Sequence, residues 1–228
     1  MYNNCDNRKP NNMNPEKIST NMENCETMSE RNKEMISIID ATNKILKNNG
    51  VEQWVIGGFA TEGYKEQITR EHHDIDLMAW QKDKEKIHSL LKENGYEVND
   101  GYQDEKGEYH KFNHKIVAKL NEIKTDVIFI EQDKKTKEIF PPSCAQFRFP
   151  QQFLNGKEIS LELEDNIKAE FTVPSKELLL ALKIKSDRPA DQEDVRWFVH
   201  QINDPRKVKE IEKKYAFDYN KFHEIITE

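Results

Sequence analysis

Apolar positions along this chain recur with two periods, and the switches between them mark its elements. Met35, Ile38, Ile39, Ile45 and Leu46 fall at the spacing that lines one helix face, and Asn48-Asn49-Gly50 ends the run. Trp54-Val55-Ile56 reads as a short buried strand, broken by Gly57-Gly58, with Phe59 to Gln67 as a second helix or helical turn. Period two takes over at Asp74-Ile75-Asp76-Leu77-Met78-Ala79-Trp80, where Ile75, Leu77 and Ala79 share one face and Asp74, Asp76 and Met78 the other. An amphipathic helix from Lys82 to Glu93 buries Ile87, Leu90 and Leu91 and stops at Asn94-Gly95. Two strands follow, Tyr109 to Leu120 and Lys124 to Glu131. Val127-Ile128-Phe129-Ile130 is apolar on both faces, which predicts a central strand.

Beyond Pro141-Pro142 the texture changes. Asn155-Gly156 predicts a hairpin turn between two extended pieces. Pro174-Ser175 opens a helix with Ser175 as N-cap and Leu178, Leu179 and Leu182 on its apolar side. Asp191 to Gln201, Pro205 to Tyr215 and Asp218 to Ile226 predict further helices. The first stretch, rich in Asn, Glu and Ser, holds too little apolar surface to offset its ordering entropy. The expected class is α+β: a mixed sheet flanked by helices, with a helical C-terminal part. The expected division is a disordered extension over residues 1–30, a catalytic domain over 31–173 and a helical region over 174–228.

Composition narrows the setting. Of 228 residues, 36% are hydrophobic and 34% charged, so the core must come from a few well-patterned segments. No apolar run is long enough to span a bilayer, and the polar N-terminus lacks a signal-peptide core, which predicts a soluble, cytoplasmic protein. Cys5, Cys25 and Cys144 are far apart and form no C-x-x-C pair, so neither a disulfide framework nor zinc is expected. The net charge of −7 argues against a nucleic-acid surface and is compatible with a cationic small molecule as partner.

The candidate chemistry centres on three aspartates. Asp74 and Asp76, two apart on a strand, project together and repel unless a cation lies between them. Mg²⁺ suits such an oxygen-only site and leaves room for substrate phosphates. Asp126 sits on a later strand with similar apolar flanks and completes a three-carboxylate cluster if the two strands are neighbours. Such a cluster matches in-line attack on an α-phosphate, with one carboxylate taking the acceptor's proton. Gly57-Gly58, between strand and helix, lets backbone amides approach phosphate oxygens at a helix N-terminus. Arg70 either meets phosphate, holds an aspartate or forms a surface salt bridge. His73 is expected to orient the loop; His72 and His73 suit Mg²⁺ poorly as ligands.

Trp54-Val55-Ile56-Gly57-Gly58-Phe59-Ala60 followed by Thr69-Arg70-Glu71-His72-His73-Asp74-Ile75-Asp76-Leu77 resembles the core of small antibiotic nucleotidyltransferases. These are the aminoglycoside 2″-nucleotidyltransferases and lincosamide nucleotidyltransferases of the DNA polymerase β-like superfamily. The resemblance implies that Asp74, Asp76 and Asp126 bind Mg²⁺, with Asp126 also a candidate base, and that Gly57 and Gly58 contact the triphosphate. It implies transfer of a nucleoside monophosphate from a triphosphate such as ATP to a hydroxyl of a small molecule, here expected to be an aminoglycoside-type antibiotic. Many superfamily members carry Gly-Ser where this chain has Gly-Gly. Lys183, Arg188, Asp191 and Asp194 lie in a stretch similar to the helical region that follows such catalytic domains.

Other features read more plainly. Lys183, Lys185 and Arg188 are expected on a solvated helix face, though they lie where a triphosphate is within reach. Asp191, Glu193 and Asp194 are expected to pair at the surface or between helices with Arg196. Trp197 and Phe198 are expected in the core. His110 and His114 lie on a strand pattern that separates them, against a zinc site. The acidic run Glu158, Glu162, Glu164, Asp165 and Glu170 reads as a solvated hairpin, and would favour a polycationic acceptor only if it faced the cleft. The competing readings are a sugar-nucleotide transferase, which needs neither Gly-Gly nor a third aspartate, and a toxin–antitoxin or regulatory module acting on RNA or protein.

Overall fold

In the computed structural model, residues 29–103, 107–142, 145, 147–163, 167–184, 186 and 188–214 are described. The expected N-terminal extension up to residue 28, the three cysteines, Lys185 and the predicted helix from Asp218 to Ile226 lie outside them.

Two long strands, β2 (Asp74–Trp80) and β7 (Ile123–Gln132), run parallel at the centre of a mixed sheet. β1 (Gln53–Ile56) pairs antiparallel with the outer edge of β2. β6 (Lys115–Leu120) pairs antiparallel with the outer edge of β7, and β3 (Glu97–Asn99) with β6. β8 (Glu138–Phe140) and β9 (Phe149–Pro150) extend the sheet from the end of β7. Val127 and Phe129 are fully buried on β7, as their position between two neighbours requires.

Helix α1 (Glu30–Asn48) is capped by Ser29, whose side chain accepts from the Asn32 amide. Its face of Met35, Ile36, Ile39 and Leu46 is buried. α2 (Gly57–Lys65) follows β1 without a connecting loop. α3 (Lys84–Glu93) buries Ile87 and Leu91, the spacing that its sequence predicts. α4 (Lys176–Lys183) is capped by Ser175 and buries Leu178, Leu179 and Leu180 together, because α2, α5 (Pro189–Gln201) and α6 (Pro205–Lys214) enclose it on several sides. The class is α+β, and Phe198 lies in the core as expected.

Two expectations fail locally. The stretch from Tyr109 to Leu120 is not one strand. β5 (Tyr109–Lys111) pairs with β4 (Gly101–Gln103) in a separate ribbon, and the chain then breaks before β6. Phe112 turns inward at the break, its carbonyl accepting from Lys84 Nζ at 2.6 Å and its ring lying 4.8 Å from Lys115 Nζ. A buried aromatic outranks strand continuity there.

Asn155-Gly156 is not a hairpin turn either. It follows a 3₁₀ turn at Gln151–Leu154 and leads into β10 (Lys157–Glu162), which pairs with β11 (Lys168–Val173). That hairpin closes through a bond from the Leu163 amide to the Ile167 carbonyl, 2.8 Å. Gly156 is needed for close approach instead: a Cβ there would lie 1.5 Å from the Val173 carbonyl oxygen. Ile159, Leu161, Ala169 and Phe171 face inward, while Glu158, Glu162 and Glu170 face solvent. Glu158 pairs with Lys47 and Glu162 with Lys168. Gly156→Ala should therefore destabilise the fold by about 1–3 kcal/mol. Thermal denaturation followed by circular dichroism reads this as a Tm lowered by roughly 2–10 °C, and an unchanged Tm would contradict the close approach.

Candidate active site

The parallel register of β2 and β7 sets Asp76 directly beside Asp126, with Asp74 two residues back on the same face of β2. An oxygen from each of the three carboxylates lies within 4.8 Å of the others. Burial drives the Asp76 carboxyl up to about 7, and the charges of Asp74 and Asp126 push the same way. Lys124, two residues before Asp126 and therefore on its face, donates to Asp126 Oδ2 at 2.8 Å. The other oxygen, Asp126 Oδ1, is buried and has no hydrogen-bond partner among the described residues. An unpaired buried carboxylate oxygen is costly, and an oxygen-only donor set with this much concentrated negative charge fits a divalent cation such as Mg²⁺.

The glycine turn closes on the same cluster. Gly57 has φ +67°, and a Cβ there would meet Asp76 Oδ2 at 2.2 Å. A Cβ on Gly58 would meet the His72 ring at 2.5 Å and Arg70 Nη2 at 2.9 Å. The Gly-Gly pair thus lets the start of α2 nest between Asp76 on one side and the 70–72 loop on the other. The loop is oriented by His72 rather than His73. His72 is buried, its ring lies 4.2 Å from that of Phe59, and burial, with Arg70 nearby, holds it neutral with a pKa lowered to about 3. His73 lines the cleft, and its carbonyl accepts from Arg31. Asn32 of α1 grips the loop from behind, donating to the Arg70 carbonyl at 2.9 Å and accepting from the His72 amide at 3.1 Å.

Arg70 belongs to a buried ionic cluster, not to a surface salt bridge. Its Nη2 lies 3.4 Å from Asp194 Oδ2, and Asp194 also takes Lys183 Nζ at 2.5 Å. Lys183 reaches Asp191 as well, 2.9 Å away, and Asp191 binds Ser186 and Arg188. Glu62 joins from α2, accepting from Thr69 Oγ1 at 2.8 Å, with its carboxyl pushed up by burial. Lys183 therefore lies on no solvated face; it is 5% exposed, and Asp191 and Asp194 are 2% and 1% exposed. Their ionic partners among the described residues are Lys183, Arg70, Arg188 and Lys65 in place of the expected Arg196. The reason is packing: α4 and α5 enclose each other, so charges on their facing sides must neutralise one another. Lys115, Lys124 and Asn32 carry no sequence pattern that marks them as site residues, although Lys124 stands two residues from Asp126, a spacing that places both on one strand face.

The three aspartates, the glycine turn, Arg70 and Lys183 line a cleft of about 530 Å³ between the sheet and α4. One end holds the aspartates, the glycine turn, Arg70, Lys124, Lys183 and Arg188. The other is mostly apolar, lined by Met78, Ile128 and Ile130 on the sheet and by Leu178, Leu179 and Leu182 of α4, with Lys115 beside Ile128. Glu158, Glu162 and Glu170 do not line it. His110 is exposed and His114 buried.

The sequence matches the family model described as aminoglycoside-2″-adenylyltransferase over residues 38–166. The chain belongs to that family. It is a nucleotidyltransferase of the adenylyltransferase type. Solved structures share the fold. The solution structure of the antibiotic-resistance factor ANT(2″)-Ia aligns with a TM-score of 0.57 at 14% identity, over 84% of this chain and 96% of that one. A crystal structure of ANT(2″)-Ia with adenylyl-2″-tobramycin aligns at 0.56 and 13% identity, over 80% and 97%. The lincosamide antibiotic adenylyltransferase LnuA, lincomycin-bound, aligns at 0.50 and 18% identity, over 81% and 99%. No curated protein sequence matches. No helix among the described residues is long and apolar enough to cross a membrane.

The raised Asp76 carboxyl gives a signed prediction for this family member. A group whose folded pKa lies above its unfolded value makes the metal-free fold less stable as pH rises through the interval between them, here roughly pH 4 to 7. A divalent cation relieves that cost only once the carboxylates are charged. Millimolar Mg²⁺ or Mn²⁺ should therefore raise Tm more at pH 8 than at pH 5.5 in differential scanning fluorimetry. An equal or reversed shift would contradict the assignment.

Proposed function

We propose that the chain transfers the nucleoside monophosphate of a nucleoside triphosphate, ATP in the adenylyl case, to a hydroxyl of a small-molecule antibiotic. The observation that carries this reading is the three-carboxylate cluster with its unpartnered buried oxygen beside the glycine turn. Asp74, Asp76 and Asp126 would hold Mg²⁺, which when bound offsets their repulsion and draws charge from the triphosphate oxygens. The first amides of α2, cleared of side chains by Gly57 and Gly58, receive the phosphates at a helix N-terminus. Arg70 and Lys183, both anchored on Asp194, supply positive charge beside them. Asp126 takes the proton of the acceptor hydroxyl. The acceptor oxygen bonds to the α-phosphorus as the bond to the bridging oxygen breaks, and pyrophosphate leaves with that electron pair. Dependence on a nucleoside triphosphate supports a cytoplasmic setting.

An aminoglycoside acceptor is supported by the family match and by the net charge of −7, which attracts polycations at long range. A less charged acceptor, of the kind bound to LnuA, is favoured by a different observation, the apolar lining of half the cleft. RNA is disfavoured by the acidic balance of the chain.

Pyrophosphate release by the purified chain with ATP, Mg²⁺ and each antibiotic class tests the reaction. Asp74→Asn and Asp126→Asn should each lower kcat by roughly a thousandfold while circular dichroism spectra stay unchanged. Near-wild-type turnover in either variant would remove that aspartate from the mechanism.

A further inference from the structure

The cleft is divided along the strand direction, and in-line chemistry turns that division into an assignment. β2 and β7 run parallel, with Asp76 beside Asp126, Met78 beside Ile128 and Trp80 beside Ile130. Residues two apart on a strand share a face and lie about 7 Å apart. Ile128 and Ile130 therefore stand on the aspartate face, roughly 7 and 13 Å beyond Asp126. Ile139 of β8 and Phe149 of β9 continue this surface, and Leu178 of α4 faces it. The glycine turn, Arg70 and His73 all lie toward the opposite end, where β2 begins.

Displacement at the α-phosphorus places the attacking and leaving oxygens on opposite sides of the phosphorus. With the leaving pyrophosphate at the glycine and Arg70 end, the acceptor must enter from the other end, over Ile128 and Ile130. A nucleobase fits that end poorly: Lys115, beside Ile128, can meet a ring nitrogen, but the remaining side chains there are apolar and would leave its amino group without an acceptor.

Charge points the same way. Among the described residues lining the cleft, the acids are Glu71, Asp74, Asp76, Asp126 and Asp191. Three form the carboxylate cluster, and Asp191 is bonded to Lys183 and Arg188. That leaves Glu71 to meet a cationic acceptor. A polyammonium molecule needs several carboxylates to replace its hydration.

We propose that Met78, Ile128, Ile130, Ile139, Phe149 and Leu178 form the acceptor subsite, and that it takes a hydroxyl-bearing molecule with an apolar limb and at most one cationic group. This rests on the transfer reading above and narrows it. The overall negative charge then acts on solubility, not on acceptor choice.

The test uses the full chain with Mg²⁺ and ATP, and compares lincomycin, an apolar-limbed acceptor, with tobramycin, a polycation. The subsite predicts kcat/KM for lincomycin at least about tenfold above that for tobramycin; a preference for tobramycin overturns it. Ile128→Asn should raise KM for lincomycin about tenfold and change KM for ATP by less than about twofold. A rise in KM for ATP instead would mean that the nucleoside occupies the apolar end, and overturns the assignment. Ile128→Val, which keeps the surface apolar, should restore most of the lincomycin affinity. If neither antibiotic releases pyrophosphate, calorimetric binding of lincomycin in the presence of Mg²⁺ and a non-hydrolysable ATP analogue separates the two claims. Binding weakened by Ile128→Asn upholds the subsite and removes the transfer reading, while absent binding removes the subsite.

Discussion

The side-by-side placement of Asp76 and Asp126 depends on the register of a parallel strand pair. Because side chains alternate along a strand, a slip of one residue between β2 and β7 would set Asp76 beside Thr125 or Val127 and turn the partner carboxylate into the core. Register is held from the opposite face, where Ile75, Leu77 and Val127 are fully or almost fully buried. The hydrophobic pattern that builds the sheet therefore also gathers three negative charges on the cleft face. Their mutual repulsion is partly offset by Lys124, and the raised Asp76 carboxyl shows how much remains.

The helical part is tied to that sheet by charge as much as by packing. Asp194 of α5 gathers Lys183 of α4, Arg70 of the loop before β2 and, at 3.6 Å, Lys65 of α2. Removing one member of such a cluster leaves an uncompensated buried charge, which typically costs about 3–5 kcal/mol. The arrangement holds Lys183 and the partly exposed Arg70 at the glycine-turn end of the cleft. It also brings together Arg70 and Lys183, which lie more than a hundred residues apart in sequence.

Much of this was legible in the sequence. Strict alternation around Asp74 and Asp76 gave their shared face, and the doubly apolar Val127 to Ile130 gave a central strand next to them. The strand–Gly-Gly–helix order gave the turn, though not the two steric reasons for its glycines, which depend on Asp76 and His72 arriving from elsewhere. The failures have physical causes. Lys183 looks like an ordinary helix-surface charge until α4 and α5 are packed face to face, and the same packing gives Lys183, in place of Arg196, to the inter-helix aspartates Asp191 and Asp194. Asn155-Gly156 carries hairpin chemistry, yet Gly156 is used for a backbone contact with Val173. The break at Phe112 follows from one aromatic side chain preferring the interior.

Catalysis and acceptor choice both follow from whether a cation occupies the carboxylate cluster with the phosphates on the glycine side. Anomalous diffraction from crystals grown with Mn²⁺ and a non-hydrolysable ATP analogue reads this directly. The account predicts a manganese peak bounded by Asp74, Asp76 and Asp126, with the β- and γ-phosphates against Gly57, Gly58 and Arg70. A peak elsewhere, or phosphates lying over Ile128 and Ile130, would contradict it.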